Sequence, residues 1–80
     1  MEQRFYDVEI DELNEPHVTR HGISMVEIYE ALRNDPVVRR NRKGRTAGYL
    51  AFGLSDAGRP IVVAFAYHGR TARPIAAWEE

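Results

Sequence analysis

Cysteine is absent from these 80 residues. That excludes disulfides and cysteine-ligated zinc, so the fold must stand on packing alone. No run of about 18 apolar residues occurs, which excludes a transmembrane helix. The opening MEQRFYDVEID has no apolar h-region to mark secretion. The expected location is therefore cytoplasmic, with no membrane partner. A glycine-rich phosphate loop of the required spacing is missing, as is a Gly-x-Ser-x-Gly nucleophile motif. Without repeats, low-complexity tracts or interior linkers, residues 1–80 read as one domain. A chain this short buries only about 60–65% of its unfolded surface, around a single core.

Charge is plentiful and unevenly placed. Residues 1–35 hold nine acidic and three basic side chains, whereas residues 36–80 hold three acidic and eight basic. The formal net charge of −1 therefore hides a dipolar chain. Such a split implies either a positive surface for an anion, with a negative one elsewhere, or two halves that interleave and neutralise each other. The segment RRNRKGR concentrates the effect, with Arg39, Arg40, Arg42, Lys43 and Arg45 supplying five of the eleven basic residues. Arginine meets phosphate through its planar fork, and lysine adds a point charge. These five are the candidate RNA-binding residues. The competing reading is a solvated hairpin loop or an edge strand defended by charge.

Hydrophobic periodicity predicts an α+β order. Tyr6, Val8 and Ile10 alternate along an N-terminal strand with one buried face. Asn14 is placed to cap a short helix, with Pro16 in its first turn and Gly22 ending it. Ser24 and Glu27 fit a capping box for a second helix, whose apolar stripe is Met25, Ile28, Tyr29 and Leu32. Asn34-Asp35-Pro36 stops it. Three to four antiparallel strands follow. One begins at Val37-Val38 and runs into the basic segment, and GYLAFGL at 48–54 is the next. IVVAFAY at 61–67 is apolar throughout, as a strand buried on both faces and central in the sheet would be. The last strand starts near Arg73, where Pro74 calls for an edge or a bulge.

Two histidine motifs carry possible chemistry. His17 and His21 have the i,i+4 spacing of paired metal ligands on a helix, but no third ligand accompanies them, and no metal is expected. Tyr67-His68 ends the central strand, where His68 is a candidate general base and Tyr67 a proton relay or stacking group. The same pair also suits a strand's solvated end. Trp78 reads as core or interface.

NEPHVTRHGIS at 14–24, the helix that follows it and ends at Asp35-Pro36, YLAFG at 49–53, the apolar run at 61–67 and RPIAA at 73–77 make a layout. That layout resembles the BrnT-like toxins of bacterial toxin–antitoxin pairs, and it covers almost the whole chain. The resemblance implies the wider RelE-like group, with its βααβββ fold. It also implies RNA cleavage that needs no metal or cofactor and inhibits translation. A partner antitoxin would neutralise the protein, and the RNA would include ribosome-bound mRNA. On matched positions it assigns catalytic roles to Arg20, Tyr49 and Arg73, beside the candidate His68. Basic groups would orient the phosphate and stabilise charge as the ribose 2′-oxygen attacks.

This chain also departs from that pattern. Gly48 stands where an arginine is common, and Trp78 and Glu79 stand where further arginines usually follow. Three readings result: an active ribonuclease toxin, a catalytically degenerate RelE-like module that binds nucleic acid or protein, and an unrelated small interaction domain. Apolar stripes and an edge strand in so small a domain make a homodimer or hetero-oligomer the expected state.

Overall fold

The computed structural model describes residues 7–9 and 14–80. Its elements are β1 (Asp7–Val8), α1 (Glu15–Val18), α2 (Met25–Arg33), β2 (Val37–Arg40), β3 (Tyr49–Leu54), β4 (Pro60–His68) and β5 (Thr71–Glu79). The protein is α+β: two short helices, then four antiparallel strands in one open sheet ordered β5-β4-β3-β2. Val8 lies opposite Ala72 in a short parallel pairing of β1 with β5. The rest of the strand expected around Tyr6 and Ile10 lies outside the described residues.

The run at 61–67 does form the central part of the sheet, because β4 is paired on both sides. Ile61, Val63 and Phe65 point to the helices and join Val18, Ile23, Ile28, Ala31, Leu32, Ala51, Ala72 and Ala77 in one core. The helix α2 rides close on β3 at Gly53. A Cβ there would run into the Ala31 carbonyl oxygen, so only glycine fits without movement.

Caps and clamps hold the helices. The capping box is complete: the Glu27 amide donates to Ser24 Oγ at 3.1 Å, and the Ser24 amide donates to Glu27 Oε1 at 3.0 Å. Arg59 then ties α2 to β5, meeting Glu27 at 3.1 Å and Glu79 at 3.1 Å. The first helix differs from expectation. Asn14 makes no side-chain cap; its Nδ2 donates instead to the Pro74 carbonyl at 3.3 Å, pinning α1 to β5. The helix also ends at Val18, so His17 and His21 do not share one helical face. Gly22, at φ +87°, turns the chain toward α2.

Pro74 sits at a bulge, on a stretch of β5 that pairs with β4 alone among the described residues. Ala64 pairs with Ala76 but Phe65 with Pro74, leaving Ile75 as the extra residue. Beyond the bulge Arg73 pairs with Ala66, and Thr71 with His68. A regular register would have put Arg73 opposite Tyr67 on the helix side; the bulge turns it to the other face.

Candidate nucleic-acid interface

Both helices pack on one side of the sheet, so among the described residues no helix lies on the opposite face. Cross-strand register arranges that face in rows. Val37, Phe52, Val62 and Trp78 form one row across β2 to β5, and Arg39, Leu50, Ala64 and Ala76 form the next. Val37, Leu54 and Trp78 keep 54%, 51% and 37% of their surface exposed, an apolar stripe open to solvent.

The basic loop, residues 41–48, joins β2 to β3 beside this face. Asn41 shapes it. Its amide donates to the Gly48 carbonyl at 2.8 Å, its Nδ2 donates to the Ala47 carbonyl at 2.9 Å, and its Oδ1 accepts from the Arg42 amide at 2.8 Å. Gly44 takes the left-handed conformation at φ +84° that the reversal requires. The loop is thus a hydrogen-bonded structure with Arg42, Lys43 and Arg45 projecting as exposed side chains. Arg40, Asn41, Arg42 and Arg45 meet Leu50 and Trp78 of the sheet around a recess of about 470 Å³. A second recess, of about 440 Å³, lies along Val37, Arg39, Phe52 and Glu80.

The cations divide by whether a described carboxylate pairs with them. The two halves of the chain do interleave through Arg33–Asp56 at 3.2 Å, Arg59–Glu27 at 3.1 Å and Arg73–Glu9 at 3.3 Å. Among the described residues, no acidic side chain pairs with Arg39, Arg42, Lys43 or Arg45. Their positive potential is therefore not offset by any described carboxylate. The shifted ionisations of Glu27, Asp56 and Arg59 belong to the scaffold. The Ser24 amide and then Arg59 hold the Glu27 carboxyl below its ordinary range. Asn34 and then Arg33 do the same for Asp56, while Glu27 and Glu79 raise Arg59.

The four candidate catalytic residues fall into three places. Arg73 and His68 come together on the helix-free face, at the end of the sheet next to β1. Glu9 Oε1 stands between them, 3.3 Å from Arg73 Nη1 and 3.6 Å from His68 Nδ1. That oxygen is shut off from solvent and accepts no well-aligned hydrogen bond, so its contacts are electrostatic. Tyr49 is on the helix side of the sheet, stacked with Phe65 at 5.7 Å between centroids and edge-on to Tyr67 at 4.9 Å. Arg40 covers its ring, with Cζ 5.6 Å from the centroid. Arg20 lies in the exposed turn after α1 and donates from Nε to His21 Nε2 at 3.4 Å. The sheet therefore separates Tyr49 from Arg73 and His68.

Glu9 and Asn41 are not evident as site residues from sequence. Glu9 reaches its partners through a pairing of strands more than sixty positions apart, which local pattern does not encode. Asn41 does carry a signal: an asparagine three positions before a glycine, inside a basic run, is turn chemistry. No protein family, curated protein or solved structure matches this chain.

Proposed function

We propose that this chain is a toxin-like protein of the RelE-like βααβββ kind, which cleaves RNA without a metal and is neutralised by a partner antitoxin. The observation that supports it is the gathering, along one helix-free sheet face, of Arg39, loop cations that no described carboxylate neutralises, and the Arg73–Glu9–His68 group. RNA lying on that face would meet the loop through its phosphates. The Arg73 guanidinium would then stabilise the charge that builds on the phosphorus oxygens. The ribose 2′-oxygen attacks phosphorus as its proton passes to the Glu9 carboxylate. The bond from phosphorus to the 5′-oxygen breaks, and that oxygen takes a proton from His68. The products are a 2′,3′-cyclic phosphate and a 5′-hydroxyl. An antitoxin with an acidic face, laid over the same surface, inhibits by competition.

One observation favours a second reading. Tyr49 and Arg73, both assigned to catalysis by the resemblance, are on opposite faces of the sheet, and Gly48, Trp78 and Glu79 supply no cation. A catalytically degenerate module that binds nucleic acid or protein fits that arrangement. Incubating the purified chain with defined RNA in excess chelator separates the two. Cyclic-phosphate ends that vanish in Arg73→Ala support the ribonuclease. Salt-sensitive binding without cleavage supports the module, and neither binding nor cleavage rules out RNA as the ligand.

A further inference from the structure

We infer that the recess beside Trp78 seats one nucleotide of a single-stranded RNA, with its base on the indole and its phosphate between Arg42 and Arg45. The inference rests on the RNA reading above and deepens it. Four observations carry it. The recess holds about 470 Å³, within the range of roughly 300–1,000 Å³ that small-molecule sites occupy. One side is apolar, Leu50 and Trp78, while the other is cationic, Arg40 at the end of β2 with Arg42 and Arg45 of the loop. That is the division between the face of a base and its phosphate.

The row next to Trp78 carries small residues on β4 and β5: Ala64 pairs with Leu50 on one side and Ala76 on the other. Trp78 is 37% exposed, on a sheet face that no helix among the described residues covers. The loop that brings the arginines is held by Asn41, so part of the ordering cost is met before a ligand arrives.

The apolar wall favours a nucleotide over an acidic protein segment. Cations alone would suit either, but the exposed indole beside them offers a stacking face that a base has and a carboxylate side chain lacks.

Trp78 is the single tryptophan of the chain, so its fluorescence reports from this position alone. The experiment titrates the full chain with a non-cleavable 2′-O-methyl oligoadenylate octamer. Trp78 emission and the anisotropy of a labelled copy of the octamer are followed together. The expected result is quenching that saturates with the anisotropy. Trp78→Phe should retain binding and Trp78→Ala should weaken it about tenfold or more, with unchanged circular dichroism. Arg42→Ala with Arg45→Ala should weaken it as well and flatten its salt dependence. A rise in anisotropy with no change in Trp78 emission, and wild-type affinity in Trp78→Ala, would leave the RNA reading standing and overturn this seat. No anisotropy change at any protein concentration would overturn both. Quenching by a polyglutamate peptide but not by the octamer would overturn the nucleotide and mark the recess as a protein dock.

Discussion

Tyr49 and Arg73 face opposite sides of one sheet. The cause is the single extra residue Ile75, which shifts Arg73 from alignment with Tyr67 to alignment with Ala66. Arg73 thereby joins His68 and Glu9 on the helix-free face, and Tyr49 stays in an aromatic cluster with Phe65 and Tyr67. Chemistry on that face should depend on Arg73 far more than on Tyr49. Arg73→Ala is expected to lower RNA cleavage by about 100-fold or more, the scale of a missing charge-stabilising donor. Tyr49→Phe, which keeps the ring packing, should change it by less than about threefold on the same warrant. Single-turnover cleavage rates of the two variants check this. Equal losses would place both side chains at one centre and contradict the separation.

The loop makes a different prediction, because Asn41 sets its shape while its neighbours supply its charge. Replacing Arg42, Lys43 and Arg45 together with alanine should flatten the dependence of log affinity on log salt by about two, near 0.7 for each phosphate no longer neutralised. Asn41→Ala should weaken binding at every salt concentration but leave the slope close to wild type. Fluorescence anisotropy across a salt series measures both. A slope in the triple variant equal to wild type would mean that the loop does not touch phosphate.

Acid should weaken the fold through Glu27. The Ser24 amide and Arg59 lower its folded pKa from the ordinary 4.5, so the unfolded chain binds this proton more tightly than the folded one. The stabilisation is therefore complete above about pH 4.5 and is lost as pH falls through the lower folded value. Asp56, held low by Asn34 and Arg33, slopes the same way. Urea midpoints of the wild type and Glu27→Gln should differ most near neutrality and converge in acid. A constant difference across that range would rule out the Glu27 contribution.

Much of this architecture can be read from local sequence because local forces set it. The uninterrupted apolar run at 61–67 belongs in the centre of a sheet, and β4 is there. Ser24 and Glu27 sit three apart and close the capping box they suggest. Pro74 interrupts a ladder, and a bulge is where it falls. What local sequence does not encode is the side of the sheet on which each strand's polar residues emerge. A one-residue bulge reverses that, so Arg73 and Tyr49 read as compatible with one site while lying on two faces. The short first helix is similar: Asn14 is a sound cap by type, but Pro74 offers its side chain a tertiary partner instead.

Gly53 tests the packing of α2 on the sheet. Its missing Cβ is what lets the Ala31 carbonyl approach β3. Gly53→Ala should destabilise the fold by about 1–3 kcal/mol, as overpacking does, read as a lower urea midpoint with unchanged secondary structure. Gly48→Ala, where nothing stands within 4 Å of the added methyl, should be close to neutral. A tolerated Gly53→Ala would show that α2 lies less tightly on the sheet.

The most direct measurement of the central claim is growth and protein synthesis in a bacterial host after tightly controlled induction of this chain. Arg73→Ala, at matched soluble levels, runs beside it. A ribonuclease toxin working through Arg73 requires that the wild type halt translation and growth while the variant does not. Unimpaired growth with abundant, folded wild-type protein would contradict that toxin and leave the helix-free face as a binding surface.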